Sequence, residues 1–125
     1  MSGQILLVDD NQIQSTTRRA ILEGAGFTVN VAPNGQAALE LLANTEADIG
    51  LIISDHMMPV MSGQEFVTEL RKRGLSLPVV VLSGFPDAEA EYEGLDISWL
   101  PKPCQPENLI RRVSELTNTH LQRTA

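Results

Sequence analysis

Three acidic residues, a serine and a lysine stand where apolar runs stop. Asp9 and Asp10 follow Ile5-Leu6-Leu7-Val8, and Asp55 follows Leu51-Ile52-Ile53-Ser54. Ser83 closes Val79-Val80-Val81-Leu82, and Lys102 follows Trp99-Leu100-Pro101. Clustered carboxylate oxygens suit a hard divalent cation such as Mg²⁺, which also takes phosphate oxygens as ligands. Three carboxylates brought together repel one another, and a divalent ion is the simplest relief. Taken singly, each residue has a plainer reading. The acidic pair could be a helix N-cap with a solvated neighbour, Asp55 another cap, and Lys102 a surface lysine. A lysine between Pro101 and Pro103 at a strand end is poorly explained that way.

The elements that would gather these groups are strands. Short runs rich in Val, Ile and Leu, separated by helix-like segments, read as parallel strands buried on both faces. Such sheets bind ligands at the carboxyl ends of their strands, where all these polar residues fall. Strands are expected over 4–8, 27–32 (an edge strand, from its alternation), a run ending at Ser54-Asp55, 78–82 and 97–100. A first helix over about 11–25 offers Ile13, Ala20, Ile21 and Leu22 for its buried stripe. Asn34 can cap a second helix carrying Ala38, Leu39, Leu41 and Leu42. Ser62 and Glu65 fit a capping box for a third that buries Phe66, Val67 and Leu70 and ends at Gly74. Residues 86–93, with only Ala88, Ala90 and Tyr92 as apolar positions, predict a short and loosely packed fourth helix. Pro106 suits the first turn of the last helix, whose apolar face is Leu109, Ile110, Val113 and Leu116. A βα unit repeated five times points to an α/β sandwich with a parallel sheet.

The 125 residues suffice for one domain with a real core. A net charge of −7 argues against direct contact with nucleic acid, which needs a basic patch. No apolar stretch approaches a membrane span, and Met1-Ser2-Gly3-Gln4 leads straight into the first strand without a signal peptide. Cys104, alone, cannot form an internal disulfide, and a cytoplasmic setting follows as the expectation.

The segment Asp55-His56-Met57-Met58-Pro59-Val60-Met61-Ser62-Gly63 fits D-x-x-M-P-x-x-x-G. With the acidic pair before it, and Ser83 and Lys102-Pro103 after it, the chain resembles the receiver domain of two-component response regulators from Ile5 to about Leu116. Leu7-Val8-Asp9-Asp10-Asn11 and Leu100-Pro101-Lys102-Pro103 are similar to segments in receivers of hybrid histidine kinases. The resemblance implies a flavodoxin-like, doubly wound three-layer sandwich with strand order 2-1-3-4-5. Residues 1–125 would be one receiver domain, with a core of about 4–117 and a tail over 118–125.

It further implies that Asp55 is the phosphoacceptor, attacking a donor phosphohistidine to give an acyl phosphate. Asp10 would bind Mg²⁺ (or Mn²⁺) directly, Asp9 largely through water, with the Met57 backbone carbonyl as a further ligand. Lys102 would neutralise phosphoryl oxygens, aimed inward by a cis Lys102-Pro103 bond, and Ser83 would hydrogen-bond the product. Ser83 and Trp99, where receivers usually have Tyr or Phe, would form a switch toward the face of the fourth helix, fifth strand and fifth helix. Trp99 could equally be a half-buried aromatic on the last strand. The implied partners are a histidine kinase or histidine phosphotransfer domain and a downstream protein, with no membrane contact. The domain would be a monomer or a phosphorylation-dependent dimer, and no enzyme beyond its own phosphorylation and dephosphorylation.

Two departures from the pattern stand out. The interval from Ser83 to Lys102 is short, and it carries Asp87, Glu89, Glu91, Glu93 and Asp96 with no Lys or Arg. This is either a solvated face or one that selects a basic partner. Phe85 is bulky and close enough in sequence to cover a phosphoryl group, which would slow its loss. His56 is expected to have a local role, His120 to be exposed, and Cys104 to act as a small buried hydrophobe. Competing readings are a pseudo-receiver that binds without phosphorylation, a dehalogenase-type phosphatase and a flavin-binding flavodoxin. The phosphatase needs an aspartate two positions after its nucleophile, where Asn11 follows Asp9-Asp10. The flavodoxin needs a glycine- or serine-rich phosphate loop, absent after the first strand.

Overall fold

The computed structural model describes residues 4–44 and 48–124, with side chains given to residue 117 except that of Pro86. Met1 to Gly3 and the His120 side chain, on which two expectations rest, lie outside the described residues. The elements run β1 (Gln4–Val8), α1 (Gln12–Gly24), β2 (Val29–Ala32), α2 (Gly35–Ala43), β3 (Ile49–Asp55), α3 (Gly63–Lys72), β4 (Val79–Ser83), a short helix (Pro86–Tyr92), β5 (Ser98–Pro101) and α4 (Pro106–Thr124). The five strands are parallel in the order β2-β1-β3-β4-β5.

Period-two alternation divides the core into two layers. Leu6, Val8, Ile52, Val79 and Val81 pack with Ala38, Leu39, Phe66, Val67, Leu70 and Tyr92, so α2, α3 and the short helix cover one face. Ile5, Leu7, Leu51, Ile53, Val80, Leu82 and Leu100 pack with Leu22, Leu109 and Val113, so α1 and α4 cover the other. The expected caps form: Asn34 accepts from the Ala37 N–H, and Ser62 and Glu65 make a reciprocal capping box.

Two expectations need correction. The inward row of α1 is Ser15, Arg18 and Leu22; Ile13 is 81% exposed and Ala20 also faces solvent. These three positions sit one and two turns apart on one helical face, and the neighbouring strand supplies polar as well as apolar partners for them. The short fourth helix expected after β4 forms, as a 3₁₀ helix. Its span is too short for α-helical hydrogen bonding to compensate nucleation, and the chain reverses at once through Gly94 (φ 82°) and Asp96 (φ 56°). Second, this segment is not loosely held, because Ala88 and Tyr92 are buried. The Arg71 guanidinium donates to the carbonyls of Leu75, Leu77, Leu95 and Asp96, tying its exit to the end of α3.

The candidate phosphoryl and metal site

Strand register assembles the site step by step. Val8 pairs with Ser54, which brings Asp9 level with Asp55; Asp55 pairs with Leu82, and Ser83 with Pro101, so Lys102 is the next residue out. The Lys102 N–H donates to the Ser83 carbonyl at 2.8 Å, and its peptide bond to Pro103 is cis. The Lys102 ammonium lies in ion-pair contact with Asp55 Oδ1. Carboxylate oxygens of Asp9, Asp10 and Asp55 lie within 4.8 Å of one another. Asp9, Asp10, Asp55 and Lys102 converge there, Ser83 ends the neighbouring strand, and the Trp99 ring packs in the layer of Tyr92.

Burial differs sharply within the trio. Asp9 and Asp55 are buried and Asp10 is exposed. Asp55 Oδ1, although beside Lys102, has no partner in hydrogen-bond geometry. The all-oxygen donor set of the trio fits a hard divalent cation. Burial pushes the Asp9 carboxyl above its ordinary range, with the Asp55 charge adding to the rise; the Asn11 N–H, Arg18 and Lys102 oppose it. Asp9 Oδ1 accepts from Asn11 N at 2.9 Å, and Oδ2 from Arg18 Nη1 at 2.6 Å.

The other flank of Asp55 is built from His56 and Tyr92. His56 is buried, which suits a local role, and its Nδ1 lies 2.6 Å from Tyr92 Oη, with the exposed Glu91 carboxylate 3.7 Å from Nε2. Tyr92 in turn packs against the half-buried Trp99 ring at 6.2 Å, and burial pushes its phenol well above the ordinary value. Gly63 explains the last letter of the motif. A Cβ there would come within 2.6 Å of both the Asp55 carbonyl oxygen and Tyr92 Oη, so only glycine lets α3 start this close. Ser83 is buried, its Oγ accepting from the Phe85 N–H at 2.9 Å. The Phe85 ring is more than half exposed and stands edge-on to His56 at 6.4 Å. Cys104 is half-buried beneath α4, and burial raises its thiol pKa.

Two residues at this site were not anticipated. Tyr92 read as one of three apolar positions in a weak helix, and its hydroxyl gave no local signal of a partner 36 residues earlier. Arg18 had a weak signal: it stands four residues before Leu22, on a helix beginning beside Asp9 and Asp10.

Comparison with known proteins agrees with this geometry. Residues 5–114 match the response regulator receiver domain family. The response regulator MprA of Mycobacterium ulcerans is 36% identical over 119 residues, covering 93% of this chain and 50% of the relative. The chain thus spans about half the length of the curated relatives it matches. The receiver domain of a signal transduction histidine kinase from Syntrophus aciditrophicus superposes with a TM-score of 0.85 at 29% identity, over 94% of this chain and 92% of that one. The chemotaxis protein CheY4 of Vibrio cholerae gives 0.83 at 30% identity, over 93% and 99%. This chain belongs to the response regulator receiver domain family of two-component signalling. No helix among the described residues is long and apolar enough to cross a membrane.

Proposed function

We propose that this chain is a phosphoaccepting receiver in which Asp55 takes a phosphoryl group from a histidine kinase or histidine phosphotransfer domain. The observation carrying this reading is the convergence of Lys102 and the acidic pair on Asp55, a buried carboxylate at the end of β3. Asp10, Asp55 and the Met57 backbone carbonyl, with Asp9 behind them, would hold Mg²⁺ (or Mn²⁺), which supplies charge neutralisation for phosphoryl oxygens. An Asp55 oxygen forms the new O–P bond as the P–N bond to the donor imidazole breaks. The ammonium of Lys102 stays paired with the accepting group throughout, opposing the build-up of negative charge as the acceptor becomes an acyl phosphate. Ser83 Oγ exchanges its bond from the Phe85 N–H for one to the product.

Output would run from Ser83 and Trp99 toward the face made by the short helix, β5 and α4. A groove of about 620 Å³ lies along the short helix and the loop that follows it, walled by Asp87, Glu89, Glu93 and Asp96 over Ala90, Tyr92 and Ile97, and its charge suits a basic partner segment. Exchange of these acids for Lys is expected to abolish partner binding, and unchanged binding would remove that part of the reading. The central test is intact mass after exposure to acetyl phosphate, with and without Mg²⁺, for the parent and Asp55→Asn. A metal-dependent phosphoryl adduct in the parent alone is expected. An adduct surviving in Asp55→Asn, or none in either protein, would overturn the assignment.

A further inference from the structure

Lys102 is not the only cation fixed at this pocket. The alternation that buries Ile5 and Leu7 against α1 continues past the end of β1 to Asp9, so the Asp9 carboxylate faces α1 rather than α2 and α3. On α1 the row Ser15, Arg18, Leu22 faces the sheet, with Leu22 in the same apolar cluster as Ile5 and Leu7. Arg18 Nη1 donates to Asp9 Oδ2 at 2.6 Å, and the two side chains retain 15% and 0% of their exposure. With Oδ1 already taken by the Asn11 N–H, both oxygens of Asp9 have protein donors, while Asp10 stands exposed.

We propose that Arg18 is a positioning residue of the phosphoryl pocket: it clamps Asp9 against α1 and, as a second fixed cation, weakens divalent-cation binding while strengthening binding of the anionic phosphodonor. This rests on the phosphoacceptor reading above. Asp9, Asp10 and Asp55 face Lys102 and Arg18, so the pocket carries one net negative charge instead of two. A guanidinium this deep is screened far less than a surface charge, and it stays ionised at any working pH. Its field opposes an incoming dication and attracts an incoming phosphoryl anion. A loss of shape at Asp9 would instead weaken both.

The opposite signs make the test. Mg²⁺ affinity is measured by isothermal titration calorimetry at pH 8 on the parent, Arg18→Met and Arg18→Lys. The acetyl phosphate concentration giving half-maximal phosphorylation rate is then measured on each at saturating Mg²⁺. Arg18→Met is expected to bind Mg²⁺ about tenfold more tightly and to need several-fold more acetyl phosphate, while Arg18→Lys stays near the parent on both scales. Arg18→Gln carries the same expectation and replaces the methionine variant should that one unfold. Unchanged or weaker Mg²⁺ binding in the uncharged variant, or a shift of both affinities in one direction, overturns the proposal. A folded parent that takes up neither Mg²⁺ nor a phosphoryl group would overturn the phosphoacceptor reading itself, and that failure is read from the parent alone.

Discussion

Asp55 is flanked by two buried pairs of opposite kind. Toward α1 stands Asp9 with Arg18, an ion pair of two charged groups; toward the short helix stands His56 with Tyr92, joined by a short polar bond in a wall of rings. Neighbours along the chain on β1 and β3 thus face two different chemistries, because alternation sends Asp9 to one layer and His56 to the other. The difference separates two jobs. A long-range field acts on whatever charge enters the pocket, whereas a hydrogen bond between packed rings acts through position and barely changes the field. On the proposed reading, one flank sets what the site attracts, and the other holds the strand end that carries Asp55.

The severest way to break this division is Gly63→Ala. The added methyl meets the Asp55 carbonyl oxygen and Tyr92 Oη, both on rigid elements. A loss of about 2–3 kcal/mol in urea denaturation is expected, with the His56–Tyr92 bond disrupted. Next, Tyr92→Phe leaves the buried His56 ring nitrogen without its partner. This should cost about 1–2 kcal/mol. It should also alter the emission of Trp99, the chain's one tryptophan, because Tyr92 and Trp99 pack together. Mg²⁺ affinity should be unchanged; a shift as large as that of Arg18→Met would mean that the two flanks are not separable.

Arg18→Met sharpens the contrast from the other side. Without metal, Asp9 is then buried beside Asp55 with no cation on its outer oxygen. With Arg18 partly open to solvent, a stability loss of about 1–2 kcal/mol is expected in chelator, and Mg²⁺ should restore most of it by binding the folded state alone. Equal restoration of Tyr92→Phe by Mg²⁺ would contradict the division. The smallest effect concerns Cys104, whose thiol pKa is raised by burial and lowered in part by Arg18. A raised pKa means less thiolate at a given pH, so alkylation by iodoacetamide near pH 9 should run slower than for a free thiol. Arg18→Met should slow it further.

Asp55, the acidic pair, Ser83 and Lys102 were legible because each follows an apolar run that reads as a buried strand, and parallel strands deliver their ends to one rim. Ser62 with Glu65 and Asn34 were legible because caps act over three residues. Ile13 misled, since an apolar residue on a helix is not obliged to face inward when a polar strand end lies opposite. The short helix was found as an element and misjudged in packing, because its anchors, Tyr92 to His56 and Arg71 to four carbonyls, are contacts between distant parts of the chain.

By itself, the order of residues determined the strands, the caps, the motif from Asp55 to Gly63 and the membership of the chemical groups at the rim. All of these follow from local rules of burial and hydrogen bonding within a few residues. Only the folded arrangement decided which side of the sheet each of those groups meets, that Asp9 finds a guanidinium and His56 a phenol, and why no side chain is tolerated at Gly63. Those outcomes depend on distances across the sheet and between layers, which a one-dimensional pattern does not contain.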